Sequence, residues 1–190
     1  MKRLLAALPA LALLAAAPAA AQLSLEVRGG AGAGSYAATS AGFQSVPQPA
    51  ASVALAFAPS PRLAVYGGYS FARFGCEDGF CRGVDPVFTS RGFDAGVRVE
   101  LPYGLWVRGG PVMHTLDVSS SPGGVDYSDS SDPAFGIGAG AGLGFRLGRT
   151  VTLTPGIGYV RYNAKTEDGS DAVALLTGDV GLRIGFGRGR

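Results

Sequence analysis

In 190 residues the chain carries one histidine, one tryptophan, two cysteines and two methionines. No histidine or further cysteine lies near Cys76 and Cys81, so they cannot belong to a metal cage, and neither metal nor cofactor is expected. After the N-terminus there is no run of about 18 apolar residues, which excludes a helical membrane protein. Sequence motifs of enzymes are scarce. There is no P-loop and no GxSxG, and from Gly136 to Gly144 every glycine is even-numbered, so a GxGxxG fingerprint cannot occur there. Basic excess is missing too. Without Lys2 and Arg3, the 16 basic residues become 14 against 14 acidic ones, leaving no basic patch for nucleic acid.

The N-terminus is present in full detail. Met1-Lys2-Arg3 precede an apolar run from Leu4 to Ala17, and Ala19-Ala20-Ala21 precede Gln22. A basic start, an apolar stretch and a small-residue site describe a secretory signal peptide over 1–21, cleaved after Ala21. Residues 22–190 then form one exported domain. Glycine is abundant, with 31 residues and no collagen period. Much of it occupies every second position of apolar segments, most plainly in PAFGIGAGAGLGFRLG over 133–148.

That period of two describes β-strands whose faces meet different surroundings. Strand one alternates Leu23, Leu25 and Val27 with Ser24, Glu26 and Arg28, up to about Tyr36. Further strands carry Val53, Leu55 and Phe57; Leu63, Val65, Tyr69 and Phe71; Phe93 to Leu101; and Leu105, Val107 and Met113. The last three carry Phe135 to Leu147, then Val151 to Tyr159, then Leu176 to Phe186. The eight strands alternate short links (Pro59-Ser60-Pro61, Pro102-Tyr103-Gly104, Gly148-Arg149-Thr150) with longer ones over about 37–50, 75–88, 118–132 and 163–171. Three-residue links keep both apolar sets on one face of each hairpin. A soluble barrel of lipocalin type would turn that apolar face inward. The opposite face here carries Glu26, Arg28, Asp94, Arg98, Glu100, Arg108, Arg146, Asp179 and Arg183, too many charges for a dry core. The fold expected is therefore all-β: an eight-stranded antiparallel up-and-down transmembrane β-barrel with three short periplasmic turns and four longer outer loops.

In this pattern the chain resembles the small eight-stranded outer-membrane β-barrel proteins of Gram-negative bacteria, the family of the OmpA membrane domain and OmpX. The resemblance spans the mature chain and is most specific at its end. Asp179, Gly181, Ile184 and Phe186 are similar to the family's signal for recognition of the last strand by the barrel-insertion machinery. Family members usually end on that aromatic, whereas Gly187-Arg188-Gly189-Arg190 follow here. The resemblance implies localisation in the outer membrane among lipids and lipopolysaccharide. No peptidoglycan-binding domain is expected.

The charged face invites two readings, a salt-bridged plug or an ion path, and an eight-stranded barrel is only wide enough for side chains to fill. A three-residue turn centred on Tyr103 sets Arg98 opposite Arg108 with Glu100 diagonal to it, and barrel closure brings Glu26 near Arg183. Cys76 and Cys81 are expected to pair as a loop staple rather than act in redox exchange. His114 sits on the inward face. His-Thr-Leu does not match the His-x-Ser pair of the related lipid A deacylase. The Asp126, Asp129 and Asp132 loop and the Glu167, Asp168 and Asp171 loop lack EF-hand spacing, and divalent ions could bridge them to lipopolysaccharide. Tyr69, Phe71, Tyr103, Trp106 and Tyr159, with Phe145 and Phe186, are assigned to aromatic girdles. The function expected is a monomeric, non-enzymatic outer-membrane barrel with a structural or surface-interaction role, its loops meeting a surface partner. A lipid A-modifying enzyme and a small porin-like channel are the alternatives.

Overall fold

A computed structural model describes residues 22–36, 45–76, 81, 86–120, 127–166 and 169–186. The segment 1–21 lies outside them. The strands are β1 (Gln22–Tyr36), β2 (Ser45–Ser60), β3 (Leu63–Cys76), β4 (Val87–Glu100), β5 (Leu105–Ser120), β6 (Tyr127–Ser130), β7 (Ala134–Leu143), β8 (Phe145–Arg146), β9 (Val151–Thr166) and β10 (Gly169–Phe186). All pair antiparallel, in the order β10-β1-β2-β3-β4-β5-β7-β9, and β9 pairs back to β10. The result is a closed ring of eight. β6 extends the outer end of β5, and β8 continues β7 past Gly144. The register shows that continuity: Gly142 faces Gly156 and Phe145 faces Leu153.

Outward positions in the lower strands are apolar and open to the bilayer, among them Val65, Phe93, Ile157 and Leu182. Inward positions are small or charged. Gly142 and Gly156 make room for one large inward residue: a Cβ on either would stand 2.5 or 2.6 Å from Cζ2 of Trp106.

Two of the short turns keep the expected register. Glu100 faces Trp106 across Pro102–Gly104, and Arg146 faces Thr152 across the turn centred on Arg149. Tyr103 adopts φ 63° and Gly104 φ 77°, left-handed conformations that let three residues reverse the chain. The first link differs. Ser60 faces Leu63 around Pro61-Arg62, and an irregularity between Phe57 and Ser60 restores Phe57 opposite Val65. A bulge supplies the extra residue that a two-residue turn lacks, so parity survives.

The strands also run further outward than the alternation predicts. β2 begins at Ser45, and β9 and β10 reach Thr166 and Gly169. There the pattern turns over. Inward positions become apolar (Phe74, Phe88, Leu116, Tyr162, Val173, Leu175) and form the buried core, while Arg73, Arg91, Arg161 and Lys165 on the other face are exposed. Phe74 stacks on Phe88 with centroids 5.0 Å apart, and the Cys76–Cys81 disulfide closes beside them.

Candidate functional site: the barrel lumen

Inward parity brings side chains from β1, β3, β4, β5, β9 and β10 into a lumen of three tiers. The periplasmic tier is a chain of alternating charge. Asp179 accepts from Arg28 Nε at 2.8 Å, and Arg28 also binds Glu26. Glu26 Oε2 accepts from Arg98 Nη1 at 2.6 Å. Arg98 Nε stands 2.9 Å from Glu100 Oε1, and Glu100 binds Arg183. Arg28 further donates to the carbonyl of Thr154 at 3.0 Å. Beginning on β10, this chain crosses β1 and β4 and returns to β10, so it spans the lumen rather than lying along one wall. Trp106, fully buried, packs under it, with the Arg98 and Arg28 guanidinium centres 4.4 and 4.9 Å from its ring centroid. Its indole donates to the Leu143 carbonyl at 3.2 Å.

The middle tier centres on His114, which is 2% exposed. Its Nε2 lies 2.9 Å from Asp94 Oδ1 and 3.2 Å from Ser70 Oγ, and its Nδ1 lies 3.1 Å from Ser90 Oγ. The Tyr162 hydroxyl donates to Ser90 Oγ at 2.8 Å. A cavity of about 70 Å³ lies between this cluster and the charged tier. The third tier is the apolar core that caps the outer end.

Several sequence expectations are corrected here. Trp106 is a lumen residue and not part of a girdle; its even position points it inward although it lies beside a turn. Tyr69, Phe71 and Tyr159 sit on the outward face and Tyr103 protrudes from its turn, with Tyr69 edge-to-face on Phe93 at 5.3 Å. Arg98 does face Arg108, and Glu26 faces Arg183, in Cα register. The side chains choose otherwise: Glu100 binds Arg98 and Arg183, not Arg108, and Arg183 leaves Glu26 to Arg28 and Arg98. Asp94 belongs to the His114 cluster. Arg146, on the two-residue β8 at the periplasmic rim, is exposed and has no ion pair among the described residues.

Asp179, Gly181, Ile184 and Phe186 all lie on β10, the first two facing Arg28 and the last two the lipid. Asp126, Glu167 and Asp168 lie outside the described residues, whereas Asp129, Asp132 and Asp171 stand at the outer end. Tyr66, Ser70 and Thr154 fall on the inward face that the alternation assigns, whereas Ser90 and Tyr162 were missed as lumen groups. Both are even-numbered on strands whose inward positions are even, so parity alone would have found them.

The model of the outer membrane protein beta-barrel domain matches residues 6–187. The chain belongs to that family. Its place is therefore the bacterial outer membrane. None of the curated proteins matches it in sequence. Among solved structures it is similar to Neisserial surface protein A (TM-score 0.59, 17% identity, 86% of this chain and 97% of that one). It is also similar to Ail, the attachment invasion locus protein of Yersinia pestis (TM-score 0.55, 16% identity, 87% and 99%). A third likeness is OprG of Pseudomonas aeruginosa (TM-score 0.56, 10% identity, 88% and 98%). At these identities the likeness is one of fold.

Proposed function

We propose that this is a closed, non-enzymatic outer-membrane barrel, exported by removal of residues 1–21 and acting as a monomer. Its role is to hold a rigid platform in the membrane and present its outer end to surface partners. The supporting observation is that the lumen is obstructed twice, by the Asp179–Arg28–Glu26–Arg98–Glu100–Arg183 chain below and by the Phe74, Phe88 and Leu116 core above. An eight-stranded barrel is only wide enough for side chains to fill. The test is single-channel recording of the refolded chain in planar bilayers. A silent bilayer is expected, and discrete ohmic steps would replace this reading with the porin-like one.

Arg73, Arg91, Arg161 and Lys165 project outward just above the apolar band, where phosphates of lipopolysaccharide reside. These cations are assigned to lipid contact, and the outer connections to a surface partner. The His114 cluster is read as a structural network, because a lipid A-modifying enzyme needs its nucleophile at the lipid-facing rim. His114 and Ser90 are instead buried inside the lumen. Expression of His114→Ala beside the wild type is expected to give the same lipid A profile by mass spectrometry.

A further inference from the structure

The two ends of the barrel differ in the sign of their charge. Of the 14 acidic residues, Glu26, Asp94, Glu100 and Asp179 belong to the lumen, and all the others fall in the segments 77–85, 117–132 and 167–171, on the side of the outer loops. None falls in a periplasmic turn. Those turns carry arginine instead: Arg62 after β2, Arg146 on β8 and Arg149 before β9. All three are exposed, and none has an ion pair among the described residues. Glu100, the lumen carboxylate closest in register to these turns, is already held by Arg98 and Arg183.

The backbone fixes where these arginines stand. The Glu100 N–H donates to the Arg62 carbonyl at 2.8 Å, the Leu147 N–H to the Val151 carbonyl at 3.0 Å across Arg149, and the Gly185 N–H to the Thr150 carbonyl at 2.8 Å. In the ring order the β2–β3 turn and the β8–β9 turn lie half a circumference apart. Arg62 and Arg149 are therefore on opposite sides, and with Arg146 they make a collar rather than a single patch. Beside them the outward surface is apolar, with Leu63, Leu101, Phe145 and Leu147 exposed and Tyr103 protruding from its turn. Cations and an aromatic ring at the edge of an apolar band lie at the level of lipid headgroups. A docked macromolecule would meet one side of such a ring, whereas headgroups surround it.

The geometry points to a periplasmic collar that binds the phosphate groups of anionic phospholipids through Arg62, Arg146 and Arg149. The planar fork of a guanidinium matches two phosphate oxygens at once. The collar seats the arginine end of the barrel in the phospholipid leaflet while the acid-rich end stays outside. It does not depend on the partner proposed for the outer end.

Native mass spectrometry of the refolded mature chain in neutral detergent, titrated with dioleoyl phosphatidylglycerol or dioleoyl phosphatidylcholine, tests this. The wild type is expected to bind the anionic lipid about tenfold more tightly than the neutral one. The triple variant Arg62→Gln, Arg146→Gln, Arg149→Gln is expected to lose about fivefold or more of that preference, and the triple variant Arg62→Lys, Arg146→Lys, Arg149→Lys to keep most of it. None of the three arginines supports the lumen, so both variants should retain the heat-dependent shift of a folded barrel on gels. No preference in the wild type, or a smaller loss in the glutamine variant, would overturn the inference. So would equal binding of the two lipids together with retention of the wild type, but not the glutamine variant, on purified peptidoglycan, which would give the collar to cell-wall carboxylates. Amide resonances of the wild type in nanodiscs provide a reading that needs no variant. Replacing phosphatidylcholine by phosphatidylglycerol should shift Arg62 and Arg149 more than Leu116 of the outer core, and equal or absent shifts reject the site.

Discussion

The same strands obey opposite rules at their two ends. In the periplasmic two-thirds, β3 turns Leu63, Val65 and Tyr69 outward, and β10 turns Leu176, Val180 and Leu182 outward around an inward Asp179 and Arg183. A few residues further out, β3 turns Arg73 outward and buries Phe74, and β10 buries Val173 and Leu175. Parity never changes between these levels; only the surrounding medium does. Where lipid lies outside, apolar bulk is best placed there and the interior must satisfy its charges by pairing. Where water lies outside, the ordinary hydrophobic effect returns and the interior becomes a packed core. The change of rule therefore marks the level at which the barrel leaves the membrane. It also means that two kinds of stabilisation are stacked in one ring.

Breaking the lower tier should be the most damaging. Glu26→Gln removes the carboxylate shared by Arg28 and Arg98, and a loss of about 3–5 kcal/mol is expected, as for other buried pairs deprived of one partner. Urea unfolding in lipid vesicles, followed by fluorescence of Trp106, measures it. That residue is the chain's one tryptophan and lies within the network, so its signal reports the lumen.

Next comes the outer core. Leu116→Ala opens a cavity in a tier that has no charges to hold it, costing about 2–5 kcal/mol in the same assay.

The contrast itself is tested on a single strand. Val97 and Thr89 share the outward parity of β4. Val97→Arg places a charge against lipid and should cost about 2–4 kcal/mol, approaching the upper value the nearer its position lies to the bilayer midplane. Thr89→Arg sits beyond the turnover point, facing Asp117 on β5, and should stay within about 0.5 kcal/mol. Equal costs for the two would remove the assigned membrane boundary.

A smaller loss than that of Val97→Arg belongs to the disulfide. Replacing Cys76 and Cys81 together by serine releases a closed loop with a sequence separation of 5, worth about 2 kcal/mol or less. The barrel should still show its heat-dependent shift on denaturing gels.

Much of the lower barrel was legible in the sequence. The outward set, the inward set and the registers across Tyr103 and Arg149 all follow from a period of two and the length of a turn. Trp106 was equally legible by its even number, yet its place beside a turn suggested a girdle. The outer tier was harder to read, because a strand that reverses its polarity midway presents a broken alternation. The segment 163–171 reads as a loop for that reason, although β9 runs on to Thr166, β10 begins at Gly169, and Ala164 is inward and buried.

The sequence by itself determined the lower strands, their faces, two of the three short turns and the family, since pleat and turn length are local properties of the chain. Only the tertiary structure decided which guanidinium meets which carboxylate. Ring closure and strand stagger bring Arg183 of β10 to the level of Glu100 on β4, positions that no pairing of neighbouring strands relates.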